Sequence, residues 1–230
     1  MNTPHDIYPK RWLPKHPDRL QLYSLATPNG QKIGIALEEM ELAYEPHLIH
    51  IGKGDQHDED YKRINPNEKI PTLIDPAGPG GEPIALFESG AILLYLAEKS
   101  GKLLSADPAA RMETIQWLFF QMASVGPFFG QLGHFYKFAK GKTDDYGETR
   151  YANETMRILG VLDRRLAGRE YLVGDSVSIA DVATVPWVKA FDFYEAHERV
   201  QLATFENVNT WVERCWSRPA FQRGKDVNGV

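Results

Sequence analysis

The sequence predicts an N-terminal α/β domain with the element order β-α-β-α-β-β-α, followed by an all-helical C-terminal domain. Three observations lead to this fold class. Strand and helix patterns alternate over residues 20–100, a polar, turn-rich linker follows at 101–107, and consecutive helices occupy 108–230. Residues 1–19 form a proline-rich N-terminal arm, and we expect its tyrosine and tryptophan to pin it to a surface.

The composition is that of an ordinary globular chain. Of its 230 residues, 43% are hydrophobic and 25% are charged, and the formal net charge is −5. A charge this mild argues against a nucleic-acid interface, which needs clustered basic residues. No apolar run approaches membrane-spanning length. We therefore expect neither a nucleic-acid nor a membrane partner.

Cysteine usage is typical of a reducing compartment. Cys215 is the single cysteine, so the chain cannot form an internal disulfide framework. The N-terminus lacks the apolar core of a signal peptide, and we expect a cytoplasmic protein. The seven histidines show no metal-ligand spacing with acidic partners, so no metal site is expected.

The first elements have the pattern of a parallel crossover. Residues 20–25 read as a strand. Thr27, as a helix N-cap, and Pro28, at the first helical position, then start a helix that runs to about residue 42. A second strand follows at 44–49, which completes a β-α-β unit of about thirty residues.

The rest of the α/β domain contains a hairpin between two helices. After a polar loop at 50–58 comes a short helix at 59–64. Strands at 72–75 and 83–87 flank a Gly/Pro turn. The helix that follows carries apolar residues at helical spacing, namely Ile92, Leu93, Leu96 and Ala97.

The C-terminal domain reads as a series of helices, at about 109–125, 127–140, 144–167, 179–195 and 205–217. Gly126-Pro127 should kink or break the first of these. Ser178 and Asp181 form a capping box at the start of a strongly apolar helix.

Two short motifs stand out from ordinary scaffold. Ile70-Pro71 begins a strand, where the bond is either a plain trans proline opening an edge strand or a cis bond that turns the Ile70 backbone outward as a docking edge. Glu88-Ser89 lies at a helix N-terminus, where free N–H groups favour an anion and an adjacent carboxylate favours an ammonium. That pair suits a zwitterion, but Ser89 could equally cap the helix with Glu88 complementing its dipole.

Together with the order of elements, Ile70-Pro71, Glu88-Ser89 and the capping box resemble a cytosolic glutathione transferase over about residues 20–223. The closest similarity is to the Nu class, which includes bacterial glutathione-dependent disulfide-bond reductases and is related to the yeast nitrogen-regulatory prion protein. The matching stretches are 27–30, 52–56, 67–71 and 87–99. The resemblance implies a thioredoxin-like first domain, a cis Ile70-Pro71 bond, glutathione as co-substrate and a symmetric homodimer.

The resemblance also implies roles for individual residues. Catalytic residues Thr27 and Asn29 would face the glutathione sulfur. The glutathione-binding residues would be Gln56, Lys69, Ile70, Pro71, Glu88, Ser89 and Arg150, with the Ile70 backbone pairing with the cysteinyl amide and Glu88 and Ser89 holding the γ-glutamyl end. A second substrate would bind between the domains in a pocket lined by Phe128, His134 and Phe135.

The chain offers no nucleophile of its own for disulfide exchange, which requires a thiolate. There is no Cys-x-x-Cys pair near the first helix, and Cys215 reads as a small buried apolar residue in a late helix. The reactive sulfur would therefore be that of glutathione, kept anionic by the corner at 27–30. Tyr23 and Ser24 are the rivals of Thr27 for this role, since many transferases use a Tyr or Ser hydroxyl in this region.

Three functions follow from this interpretation. The first is a glutathione-dependent disulfide-bond oxidoreductase that reduces small organic disulfides, with peroxides as a further candidate substrate. The second is a transferase that conjugates glutathione to electrophiles. The third is a glutathione-binding regulatory module with little turnover.

Overall fold

The structure is a computed structural model that describes residues 7–142 and 144–229. Its contacts divide the chain into two units. One unit runs up to Lys102 and also includes the segment from Pro219 onward, and the other is Leu103–Arg218. The boundary at 102/103 falls within the expected linker at 101–107.

A four-stranded sheet forms the centre of the first unit. Its strands are β1 (Leu20–Ser24), β2 (Tyr44–Leu48), β3 (Thr72–Asp75) and β4 (Ile84–Phe87), in the spatial order β2-β1-β3-β4. β1 pairs with β2 in parallel, whereas β3 runs antiparallel to both β1 and β4. The predicted crossover and the predicted hairpin are thus both confirmed.

Helices α1 (Pro28–Met40), α2 (Glu59–Ile64) and α3 (Ser89–Ser100) complete the predicted order. Residues of α1 that face the core include Ile33, Ile35 and Leu37, all fully buried. α3 is tied to the sheet by Asp75, which accepts hydrogen bonds from Tyr95 (2.5 Å) and forms an ion pair with Lys99 (2.8 Å). Burial alone would raise the pKa of Asp75, but hydrogen bonds from Lys99, Tyr95 and a backbone amide outweigh it and lower that pKa.

The expected helical domain extends to residue 230, but the structure places the last helix, α9 (Pro219–Gly224), in the first unit. α9 packs on α1 through two glycines. A Cβ on Gly34 would lie 2.3 Å from Gly224 O, and a Cβ on Gly224 would lie 2.4 Å from the Ile35 backbone. The two backbones can approach this closely because neither position has a side chain. The sequence analysis did not predict this helix.

The second unit consists of helices α4 (Pro108–Phe120), α5 (Gly126–Gly133), α6 (Asp145–Leu166), α7 (Ile179–Tyr194) and α8 (Glu206–Trp216). Of the expected kink or break at Gly126-Pro127, a break is not observed. Val125 and Gly126 keep right-handed helical backbone angles, and a π-helical segment, Gln121–Val125, joins α4 to α5. Pro127 has no N–H to donate, and the wider i→i+5 spacing just before it accommodates the missing bond. A second π-helical segment, His134–Phe138, follows α5.

Among the described residues, no helix has both the length and the apolar character needed to cross a membrane. α7 is instead buried within the second unit along nearly all of its length.

Asp181 organises the core of the second unit. The predicted capping box is present, with Asp181 Oδ2 accepting from Ser178 N (2.9 Å) and Ser178 Oγ (2.7 Å). Asp181 Oδ1 also accepts from Leu172 N and Trp211 Nε1, both at 2.9 Å. This fully buried carboxylate therefore joins α7, α8 and the loop before α7.

Tyr61 and Asn65 hold the segment that leads into β3. Tyr61 OH and Asn65 Nδ2 each donate to Lys69 O at 2.7 Å. Thr72 Oγ1 shares a hydrogen bond with Tyr61 OH (2.9 Å) and accepts from Asn65 Nδ2 (3.0 Å). Asn65 Oδ1 in turn accepts from Asn67 N at 3.0 Å. Residues 65–72 are thus fixed by buried polar groups rather than by regular secondary structure.

We predict that Asp181→Ala lowers the free energy of unfolding by about 3 kcal/mol or more, because it leaves several buried donors without an acceptor. Urea denaturation measures the change. Asp175→Ala removes an exposed carboxylate from the same loop region and should change stability by less than about 0.5 kcal/mol. Equal effects of the two substitutions would contradict the role given to Asp181.

We predict that Asn65→Ala loosens residues 67–70, because Lys69 O and Thr72 Oγ1 each lose a buried donor. The loss should be about 1–3 kcal/mol, which corresponds to roughly five- to 150-fold faster amide hydrogen exchange in this segment. Asn67→Ala is the matched control, since Asn67 is exposed and its side-chain contact to Glu88 is long, at 3.4 Å. Unchanged exchange in Asn65→Ala would refute the assignment.

Candidate functional site

The ends of three strands meet at one edge of the sheet. Tyr23 pairs with Thr72, and Thr72 pairs with Phe87. Since β3 is antiparallel to its two neighbours, the carboxyl ends of β1 and β4 lie beside the start of β3. The segments that extend from this edge are the Thr27 corner, Ile70-Pro71 and Glu88-Ser89. The structure therefore brings together the three motifs that the sequence analysis selected in this unit.

Thr27 caps α1 as predicted. Its Oγ1 accepts from Gly30 N at 3.5 Å, and both Thr27 and Asn29 are half-buried at the helix N-terminus. A Cβ on Gly30 would lie 1.9 Å from Leu25 O and 2.5 Å from Ser24 Oγ, so the turn packs too closely for any other residue. The first turn of α1 contains no acidic side chain, so no carboxylate in this turn would repel an anion bound at the N-terminus of the helix.

The two rival hydroxyls are engaged elsewhere. Tyr23 is fully buried, stacks on His47 with 4.4 Å between ring centroids, and donates to Trp12 O at 3.3 Å. The pKa of the Tyr23 phenol is strongly raised, mainly by burial. Its pKa therefore lies far above the pKa expected of a group that activates a thiol. Ser24 is buried and its Oγ donates to Leu25 O at 3.3 Å.

Ile70-Pro71 is a cis peptide bond, in agreement with the expectation from the resemblance. Ile70 is half-buried and packs against the cluster of Tyr8, Tyr23 and Tyr61, whereas Lys69 is exposed.

Glu88, and not Ser89, occupies the N-cap of α3. Glu88 is exposed, has φ 69° and makes no side-chain capping bond. This left-handed backbone is uncommon for a residue with a side chain, and such outliers concentrate at ligand sites. Ser89 is therefore the first residue of the helix, and the alternative in which its hydroxyl caps the helix does not describe this structure.

Lys32 is a site residue that the sequence analysis missed. It lies on α1 with only 1% of its surface exposed, and its Nζ donates to Ser89 Oγ at 3.2 Å. Burial lowers the pKa of Lys32 to about 7, and the nearby carboxylate of Glu88 opposes this shift. One signal was available in the sequence, because Lys32 precedes Ile35 and Ala36 by three and four residues and so shares their buried face.

The polar loop at 50–58 borders the same edge and carries Gln56. Gln56 Nε2 lies 3.0 Å from His57 Nε2, and His57 Nδ1 lies 2.5 Å from Glu68 Oε2. Within the part of the chain that the structure describes, the buried Gln56 Oε1 has no hydrogen-bond partner. It is thus an acceptor that a bound donor could satisfy.

The N-terminal arm helps to order this loop. Arg11 forms an ion pair with Asp55 at 2.7 Å, and the other Asp55 oxygen accepts from His50 N at 2.9 Å. Tyr8 is buried and Trp12 packs on Tyr61, as we expected of the aromatic residues of the arm. Residues 1–6 of the arm lie outside the described residues.

The second unit contains an open pocket of about 570 Å³ that includes two of the predicted site residues, Phe128 and Arg150. Its lining residues further include Tyr146, Tyr151, Glu154 and Arg157. Arg157 forms a two-bond ion pair with Glu154 (2.9 and 2.7 Å), whereas Arg150 is exposed. Phe135 stacks on Tyr151 at 5.4 Å, while His134 is exposed, and neither belongs to the pocket lining.

Cys215 is fully buried in α8, in the unit that does not carry the Thr27 corner. Within residues 7–142 and 144–229, no cluster of His, Cys, Asp and Glu side chains could hold a metal ion.

Two family models match this chain. The model of the glutathione S-transferase N-terminal domain matches residues 18–98, and that of the glutathione S-transferase C-terminal domain matches residues 127–219. The disulfide-bond oxidoreductase YfcG of Escherichia coli is 47% identical over 203 residues, which are 87% of this chain and 92% of YfcG.

Solved structures of similar proteins extend the comparison. A Pseudomonas putida glutathione transferase, with one glutathione disulfide bound per subunit, is 49% identical with a TM-score of 0.95 and covers 98% of both chains. A Burkholderia graminis glutathione transferase, with two glutathione molecules bound per subunit, is 52% identical with a TM-score of 0.93 and covers 96% of this chain and 93% of its own. The fold that the sequence predicts is confirmed, and the chain belongs to the glutathione S-transferase family.

Proposed function

We propose that this protein is a glutathione-dependent disulfide-bond oxidoreductase that reduces small organic disulfides. The observation that carries the proposal is the convergence of two helix N-termini and the Ile70 backbone on one edge of a sheet, with no cysteine among them. Such an edge is suited to binding a peptide whose own thiol supplies the reactive sulfur. The similarity to YfcG, a disulfide-bond oxidoreductase, supports the reaction type.

The N-terminus of α3 is the proposed site for the γ-glutamyl end of glutathione. Ser89 and the first N–H groups of α3 would bind its carboxylate, because helix N-termini favour anions. Exposed Glu88 would bind its ammonium group. The Ile70 backbone, next to Pro71, would pair with the cysteinyl amide, and Gln56 and Lys69 would contact the peptide nearby.

The N-terminus of α1 is the proposed site of the glutathione sulfur. A free thiol has a pKa of about 8.5, and lowering it by roughly two units requires about 2.7 kcal/mol of preferential interaction with the thiolate. The Thr27 hydroxyl, the Asn29 side chain and the exposed N–H groups of the helix would each contribute on the order of 1 kcal/mol. Several of them must therefore act together.

The reaction balances with two glutathione molecules. The first thiolate attacks one sulfur of the substrate, forms a mixed disulfide and releases a thiolate that takes up a proton. The second glutathione thiolate attacks the glutathione sulfur of the mixed disulfide, which gives glutathione disulfide and releases the second substrate thiol. The related Pseudomonas putida and Burkholderia graminis structures hold glutathione disulfide and two glutathione molecules, respectively, which supports this stoichiometry.

The pocket in the second unit is proposed to take part in substrate binding. Arg150 offers a guanidinium for a carboxylate of glutathione, and Phe128 offers an apolar wall. Phe135 would support that wall through Tyr151, and exposed His134, which packs on Phe135 outside the lining, is proposed to contact the second substrate. We further propose that the protein is a Nu-class member, a homodimer and cytoplasmic.

One coupled assay separates this function from its alternatives. The protein is supplied with glutathione, a hydroxyalkyl disulfide, glutathione reductase and NADPH, and in parallel with glutathione and an aryl halide. Disulfide turnover that far exceeds conjugation is expected. The reverse ranking would indicate a conjugating transferase, and glutathione binding without either activity would indicate a regulatory module.

We predict that Thr27→Ala lowers disulfide turnover about tenfold or more, because the thiolate loses a hydroxyl donor whose contribution lies at the upper end of the usual range for one hydrogen bond, about 1.5 kcal/mol. The coupled NADPH assay measures the rate. Cys215→Ala is the control and should leave turnover nearly unchanged, since the reactive sulfur is not the protein's. A folded but inactive Cys215→Ala enzyme would overturn the proposed chemistry.

We predict that Arg150→Ala raises the KM for glutathione by about tenfold or more, because a charged hydrogen bond to a carboxylate is worth about 1.5–3 kcal/mol. Steady-state kinetics with varied glutathione tests this. Arg157→Ala is the matched control from the same pocket and should have the smaller effect, since its guanidinium is held by Glu154. A larger effect of Arg157→Ala would refute the assignment to Arg150.

A further inference from the structure

A lysine beneath a helix N-terminus is unusual enough to need a physical reason. Lys32 is 1% exposed and Ser89 is 4% exposed, and a 3.2 Å hydrogen bond joins Lys32 Nζ to Ser89 Oγ. Lysine is among the residues least often fully buried, because removing an ammonium from water is costly. This contact links the core of the first unit to the proposed γ-glutamyl site.

The elements that contact α1, namely α3 and α9, carry several titratable groups. α3 and its N-cap carry Glu88, Tyr95, Glu98 and Lys99, of which Tyr95 and Lys99 bind Asp75 of β3. On α9 and the residues after it, Arg223 pairs with Glu38 of α1 and Lys225 pairs with Asp226. Glu88 is the charged group that acts on Lys32, and burial is the larger influence, so the pKa of Lys32 falls to about 7.

We infer that Lys32 is a positioning residue that couples the binding of a ligand carboxylate at Ser89 to the uptake of a proton. The inference rests on the proposed function, since it takes the γ-glutamyl carboxylate of glutathione as the ligand. It adds a role for a residue that does not itself contact the peptide.

The direction of the hydrogen bond between Lys32 Nζ and Ser89 Oγ explains how protonation of Lys32 affects carboxylate binding. When Lys32 is protonated, its ammonium donates to Ser89 Oγ, and a hydroxyl that accepts from a cation is a stronger donor to an anion. When Lys32 is neutral, its amine nitrogen can accept, and Ser89 O–H can point toward Lys32 instead. The ligand carboxylate thus binds more tightly to the protonated form.

The thermodynamic linkage between ligand binding and protonation of Lys32 determines whether affinity rises or falls with pH. A carboxylate near Nζ favours the charged form and raises the pKa of Lys32 from its lowered value. Binding therefore takes up a proton at a pH that lies between the two pKa values, and affinity decreases as the pH rises through this range. Each unit by which binding raises the pKa corresponds to a tenfold loss of affinity across the range.

Isothermal titration calorimetry with S-methylglutathione tests the inference. This probe has no thiol, so proton release from glutathione sulfur cannot mask the uptake. At about pH 8, titrations in buffers of different ionisation enthalpy should report uptake of about half a proton or more per site. Lys32→Met should abolish this uptake and flatten the pH dependence of affinity, whereas Lys102→Met, which removes an exposed lysine paired with Glu41, should change neither.

Lys32→Arg provides a second variant, because a guanidinium stays charged throughout this pH range. It should bind S-methylglutathione without proton uptake. Binding to the wild-type protein without proton uptake, or with the same uptake in folded Lys32→Met, would overturn the inference while leaving the proposed function intact. Failure of the wild-type protein to bind S-methylglutathione at all would overturn the proposed function and the inference with it.

Discussion

The antiparallel pairing of β3 between β1 and β4 is the constraint on which the candidate site depends. Because β3 runs opposite to both neighbours, its first residue lies beside the last residues of β1 and β4. The helices that follow those two strands, α1 and α3, therefore start at the same edge, next to Ile70-Pro71. A one-residue change of register would turn the side chains of a strand to the opposite face and separate these groups.

Buried polar side chains then fix the irregular segments around this edge. Tyr61 and Asn65 hold the backbone before β3, Asp75 ties α3 to the sheet, and Lys32 supports Ser89. Burying such groups is costly unless they are hydrogen-bonded, so each one strongly specifies a single local arrangement. The site thus depends on the core of the first unit as much as on the residues at its surface.

The groups at this edge of the sheet determine which ligands and reactions it can support. It provides helix N-termini and backbone groups, which stabilise anions, together with the buried Lys32, and it provides no thiol. The buried position of Cys215 in another unit agrees with a role in packing. Taken with the glutathione S-transferase family membership, these features favour a protein that binds and activates the sulfur of a peptide.

The sequence by itself determined the element order of residues 20–100, the cap at Thr27 and the capping box at Asp181, because these depend on local backbone chemistry. The cis Ile70-Pro71 bond was expected only from the resemblance to a family. The sequence did not determine the helix continuity at Gly126-Pro127, since a proline inside a helical pattern can be accommodated by a kink, a break or a π-helical segment. Only the tertiary structure placed α9 against α1 and Lys32 beneath Ser89, because these contacts join residues far apart in the chain. A lysine side chain in a helix is expected to be exposed unless neighbouring elements are known to cover it.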